Sequence, residues 1–157
     1  MKTKNIITLI ICLAIPQIAG GIGALATTPN IDSWYASIIK PSFNPPNWIF
    51  GPVWTFLFLL MGIALYFVWT SKQNKARTIG LRVFGIQLIL NIVWSYLFFA
   101  MHRPDLAFLE IIILLLAIIA NMIVFYSIKK TLAYLLAPYL AWVIFASALN
   151  FAIWQLN

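Results

Sequence analysis

Charge is what this chain has least of. Only 8% of its 157 residues are Asp, Glu, Lys or Arg, against about 25% in a soluble domain. Three are acidic, and the chain has one histidine and one cysteine. So little polar surface cannot cover a water-soluble globule. A single cysteine excludes a disulfide framework and a CxxC metal site. Cys12 stands in an apolar run and reads as a small buried residue. There is no nucleophile–base pair, no HExxH and no phosphate loop. No metal site and no required cofactor are expected. A net charge of +7 would suit nucleic acid as a partner, but the basic residues are sparse and the positive-inside rule accounts for them better.

What the chain has is apolar length: 64% of it is hydrophobic, with a mean hydropathy of +0.99. Five apolar stretches stand out, at 5–27, 46–70, 78–101, 105–128 and 131–155. Each exceeds the roughly 20 residues that cross a bilayer. The expected fold is an all-α membrane protein, one domain over 1–157, built as a bundle of five transmembrane helices. A long loop at 26–45 joins helices 1 and 2. Asp105 and Thr131 are the expected N-caps of the last two spans.

The basic residues fix an expected orientation. Lys2, Lys4, Lys72, Lys75, Arg77, Arg82, Lys129 and Lys130 fall on one side, and Lys40 and Arg103 on the other. The N-terminus is therefore expected in the cytoplasm and the C-terminus outside. A bacterial cell membrane is the expected location, which the charge pattern does not itself establish. Lys2, Lys4 and "ALA" at 24–26 also fit a cleavable signal peptide. Against that, Pro16 and "AGGIGA" (19–24) occupy the first apolar run. Its pairs Ala19/Gly23 and Gly20/Ala24 suit close helix packing in lipid.

The stretch "KPSFNPPNWIFGPVW" (40–54) gathers four of the eight prolines and two of the seven tryptophans. Pro41, Pro45 and Pro46 favour an extended approach to the second helix, and Pro46 suits its first turn. Trp34 and Trp48 suit the water–lipid boundary. Pro52 removes a bond to the Trp48 carbonyl, a break tolerated at membrane depth beside neighbours or a cavity. A stiff lid above a kinked helix top is one reading; a rigid connector is the other.

Polar residues inside spans are few, so their depth is informative. At about 1.5 Å per residue, Trp54, Asn91, Trp94, Glu110 and Asn150 all fall in the half of the bilayer under the long loop, with Trp142 nearer mid-membrane. Gln87, Asn91 and Trp94 share one helix face, as do Trp142, Ala146 and Asn150. These residues line an apolar pocket with a few directing polar groups, or else they fill the bundle and bond between helices. Glu110 has no second acid beside it for a proton relay. His102 reads as a loop histidine in "HRPD" (102–105). Lys40, Arg103 and His102 are candidates to meet an anion at the pocket mouth.

At "WYASIIKPSFNPPNWIFGPVW" (34–54), "QLILNIVWSYLFF" (87–99) and "APYLAWVIFASALNFAIW" (137–154) the chain resembles the tryptophan-rich sensory protein / translocator protein family, also called peripheral-type benzodiazepine receptors. The resemblance covers nearly the whole chain. It implies a five-helix bundle, usually a homodimer, that binds porphyrins and isoquinoline- or benzodiazepine-type molecules beneath the first loop. Trp54 and Trp142 match the tryptophans tied to porphyrin binding and its light-dependent breakdown, and are the catalytic candidates if that chemistry occurs. Ala146 matches a small pocket residue, Asn91, Trp94, Leu149 and Asn150 match pocket walls, and Ala24 matches a first-helix contact. With Trp48, Pro52, Phe58, Gln87 and Glu110 these form the expected ligand-binding set.

Three departures stand out. "KPSF" places Phe43 where the family usually has Trp. Phe151 is followed by no basic residue, so the sterol pattern is incomplete. "PDLAF" lacks a tryptophan often seen at the start of the fourth helix. A receptor or sensor for tetrapyrroles is the expected function. The alternatives are a light- and oxygen-dependent porphyrin-degrading enzyme and a porphyrin or sterol transporter. The expected partners are the lipid bilayer and a hydrophobic small molecule.

Overall fold

The structure, a computed structural model, describes residues 3–157, so Lys2 lies outside the described residues. Its helices are α1 (Thr3–Ile31), α2 (Trp34–Ser37), α3 (Asn47–Trp69), α4 (Lys75–Ser95), α5 (Pro104–Ile128) and α6 (Lys130–Leu156). A π-helical turn, Tyr96–Ala100, extends α4. All but the short α2 are long and apolar enough to cross a bilayer. In lipid a spanning backbone must satisfy its own hydrogen bonds, which helices do. The five spans form a closed ring: α1 packs on α3 and α4, α4 on α5, α5 on α6, and α6 on α3.

The boundaries differ from expectation for local reasons. The first helix runs four residues further, through Pro29 to Ile31, with the Asn30 side chain donating to the Ala26 carbonyl at 2.8 Å. The connection it leaves is shorter than 26–45 and holds α2. Pro46 is the N-cap of α3, one residue before its first turn. The helix stays continuous through Pro52. Asn74 caps α4, its side chain accepting the Arg77 N–H at 2.9 Å. Asp105 is not a cap: α5 starts at Pro104, and Asp105 sits in the first turn, pairing with Arg103. Thr131 is not a cap either, because α6 starts at Lys130 with Lys129 before it.

One close approach fixes the bundle's geometry at the end away from the long loop. A Cβ on Gly62 of α3 would lie 2.8 Å from the Leu13 Cα and 2.9 Å from the Cys12 carbonyl oxygen of α1. Only a glycine lets these backbones touch. Cys12 is buried at the same contact. Around it lie Met61, Ala64, Val68, Leu114, Ile118, Phe125 and Leu136, all buried. The small-residue run of α1 serves the same bundle: Ala19 and Gly23 are buried, Gly20 sits against the Phe58 ring, and Gly23 faces Ser95. Asn121, fully buried, donates to the Gly80 carbonyl at 3.1 Å and ties α5 to α4.

Gly62→Ala is expected to lower the thermal midpoint in detergent, since backbone overpacking costs about 1–3 kcal/mol. Gly85→Ala, where an added Cβ meets nothing within 4 Å, is expected to leave it unchanged or raise it through helix propensity. Differential scanning fluorimetry of the two variants checks this.

Candidate functional site

Beyond the Gly62 contact the spans part around a cavity of about 430 Å³ at the end carrying the long loop. Nine of the expected site residues line it: Ala24 from α1, Trp54 and Phe58 from α3, Asn91 and Trp94 from α4, and Trp142, Ala146, Leu149 and Asn150 from α6. Four do not. Trp48 is 73% exposed on the outside of α3, and Pro52 is exposed on the same helix. Gln87 is buried one turn below Asn91, and Glu110 is buried on α5 at 7% exposure. Helical register explains Trp48, Pro52 and Glu110, whose faces turn elsewhere; Gln87 shares the Asn91 face but lies a turn deeper, where Tyr139 bonds it.

The sequence also hid several walls. Gln17, Gly20, Gly21, Thr27, Thr28 and Ile31 of α1 line the cavity, as do Tyr35 of α2, Phe50 of α3 and Ile153 of α6. The i, i+3, i+4 spacing of Gln17, Gly20, Gly21 and Ala24 was the available signal, with Gln17 an amide in the middle of an apolar span. Gln17 Nε2 donates to the Thr55 carbonyl at 3.0 Å, linking α1 to α3. Phe98 and Phe99 come from the π-helical turn, which no pattern announced.

The walls are aromatic and cross-braced. Trp54 stacks on Phe58 with centroids 5.4 Å apart, and Trp94 on Phe98 at 5.2 Å. Phe50 meets Trp142 edge-on at 5.9 Å. Offset and edge-on arrangements match the ring quadrupole. Trp94 Nε1 donates to Asn150 Oδ1 at 3.0 Å, and Asn150 Nδ2 to the Pro104 carbonyl at 2.7 Å. This chain of bonds holds α4, α6 and the start of α5 together. Behind the wall the fully buried Tyr139 donates its O–H to Gln87 Oε1 at 2.9 Å and accepts from Asn91 Nδ2 at 3.2 Å. Its ring meets Trp54 edge-on at 6.2 Å. Tyr139 therefore holds two cavity residues, Asn91 and Trp54, in position.

Among the described residues, no Lys, Arg, His, Asp or Glu lines the cavity. Each mouth candidate has other partners. Arg103 is bonded to Asp105 through both Nε and a terminal nitrogen, at 2.8 and 2.6 Å, and this pairing raises its pKa further. His102 stacks on Trp34 at 4.6 Å, with its Nε2 3.1 Å from Asn30 Oδ1. Lys40 lies over the Tyr35 ring at 4.9 Å and donates to the Ala36 and Ile38 carbonyls. Tyr35 is buried against Phe98 and Phe99, and its O–H donates to Asn44 Oδ1 at 2.6 Å. Burial pushes its pKa up to about 12, so the donor survives throughout the physiological range.

A ring of five spanning helices around an uncharged, indole-walled cavity defines the class: a multi-pass α-helical membrane protein with room for an apolar molecule. The TspO/MBR family model matches residues 12–155, and the chain belongs to that family. The chain is similar to the tryptophan-rich protein TspO of Chlorobaculum tepidum, at 44% identity over 98% of both chains. It is similar to that of Archaeoglobus fulgidus at 42%, over 98% of this chain and 99% of the other. The translocator protein of Homo sapiens is 35% identical over 79% of this chain and 75% of its own.

Tyr139→Phe is expected to leave buried amide groups of Gln87 and Asn91 unpaired and to destabilise the bundle by about 1–3 kcal/mol. A lowered midpoint in thermal unfolding, with altered tryptophan emission from Trp54, is the measurement.

Proposed function

We propose that this protein is a membrane receptor that binds porphyrins, and neutral aromatic molecules of the isoquinoline and benzodiazepine type, in the cavity beneath its long loop. The observation that carries this reading is the convergence of Trp54, Trp94 and Trp142 on one uncharged space. Indole and phenyl faces attract flat π-systems. The cavity volume lies within the range usual for small-molecule sites. The absence of charge among the lining residues favours ligands whose buried part is neutral. A porphyrin's propionates would project at the mouth toward Lys40, while Arg103 is engaged by Asp105. This site needs no cofactor.

The proposed orientation puts the long loop outside and the N-terminus in the cytoplasm, in a bacterial cell membrane. In support, Lys72, Lys75, Arg77, Arg82, Lys129 and Lys130 cluster around the connections at the other end of the spans. A homodimer is part of the proposal. The α1 small-residue run does not argue for it, because Gly20 and Gly23 already pack within one chain.

A second reading is light- and oxygen-dependent porphyrin breakdown, favoured by two indoles, Trp54 and Trp142, on the same cavity. Illumination of the bound complex tests it. Breakdown beyond one equivalent, lost in both tryptophan variants, supports catalysis, and a mixture of bleached products speaks for photodamage.

Titration of protoporphyrin into the protein in nanodiscs is expected to quench tryptophan fluorescence with micromolar affinity. The double variant Trp54→Phe, Trp142→Phe should weaken binding by about tenfold or more. Unchanged affinity would show that the ligand sits elsewhere.

A further inference from the structure

The side chain of Asn157 grips one residue of the long loop from both sides. Its Oδ1 accepts the Ile39 N–H at 2.9 Å, and its Nδ2 donates to the Ile39 carbonyl at 3.0 Å. The same Nδ2 donates at 2.8 Å to the carbonyl of Ile153, one turn back in α6. The carboxamide thus takes the place of a neighbouring strand, offering one donor and one acceptor to a single residue. The partners are 118 positions apart in sequence.

Two features make this contact more than a surface bond. Ile153 lines the cavity, and so does Tyr35, on the loop just before Ile39. The segment tied down by Asn157 therefore lies at the cavity mouth. The Ile39 side chain is 60% exposed and does little to hold the segment. Its neighbours are fastened differently. Trp34 and Tyr35 rest on His102 and Phe98, toward α4. Phe43 meets Phe145 of α6 at 6.4 Å but remains half exposed.

We propose that Asn157 is a latch that closes the loop against α6, and that its release sets the rate at which the cavity exchanges its contents with the aqueous side. Hydrogen bonds open to water are individually weak, so a closed majority coexists with an open minority. The effect on ligand exchange rests on the cavity being the ligand site. Closure of the loop does not.

The test uses the full chain in nanodiscs in a Cys12→Ala background. Asn157→Ala removes all three bonds, and Asn157→Asp keeps only the acceptor. Three readings are taken: hydrogen exchange at the Ile39 amide, labelling of an Ala146→Cys variant by a water-soluble thiosulfonate, and protoporphyrin association and dissociation rates. All are expected to rise, by about tenfold for Asn157→Ala and less for Asn157→Asp. Phe43→Ala should add to the effect. An Ile39 amide that exchanges no faster overturns the latch. So does a freed amide with unchanged Ala146→Cys labelling, or faster labelling with unchanged porphyrin rates. Faster labelling in a protein that binds no porphyrin upholds the latch and overturns the porphyrin reading.

Discussion

The touching of two backbones at Gly62 is the constraint on which the rest of the bundle depends. Lipid provides no hydrophobic drive between helices, so close packing must hold them. With α1 pressed on α3 near Cys12 and Leu13, the two helices have little freedom to separate at that end. Further along, Gly20 against Phe58 and Gln17 against Thr55 continue the seam. Beyond that point α1 presents mostly small side chains while α3 turns Trp54 and Phe50 to the cavity, and an added Cβ on Gly21 or Gly51 meets nothing within 4 Å. Tight packing at one end and bulky rings at the other produce the hollow between them.

Polar groups follow the same division. In an apolar medium an unpaired donor or acceptor is costly, and the amides of α4 and α6 are paired accordingly. Asn150 joins Trp94 to Pro104, and Tyr139 joins Asn91 to Gln87. The first of these bonds holds the Trp94 indole in the cavity wall. The exceptions are informative. Among the described residues, Arg77 Nε, Gln87 Nε2, both carboxyl oxygens of Glu110, Asn121 Oδ1 and Trp142 Nε1 are buried with no partner. All of them come from α4, α5 and α6.

Much of this was legible beforehand. Five spans follow from apolar length, and the depth of Trp54, Trp94, Trp142 and Asn150 pointed to one end of the bundle. Depth alone could not separate wall from background. Gln87 and Asn91 share a face, yet Tyr139 claims Gln87 and leaves Asn91 at the cavity. Trp48 lies near the right level and points outward. Which side a residue takes depends on how the helices rotate against one another, and that is fixed by contacts between segments far apart in sequence. The α1 stripe was missed because glycines and threonines carry little signal until a neighbour is known.

The π-helical turn at Tyr96–Ala100 has a consequence for the lining. Its bond from the Met101 N–H reaches back to Tyr96 rather than Leu97, so one extra residue is wound into a turn. An α-helix advances about 100° per residue, so whatever follows the insertion is turned by that amount. Phe98 and Phe99, within the turn itself, both reach the hollow, and His102, with φ of 53°, completes the reversal toward α5. A chain one residue shorter here would shift the inward pair to Leu97 with Phe98 or to Phe99 with Ala100, one ring fewer, so gain or loss of that single residue is a compact means of reshaping what the hollow admits.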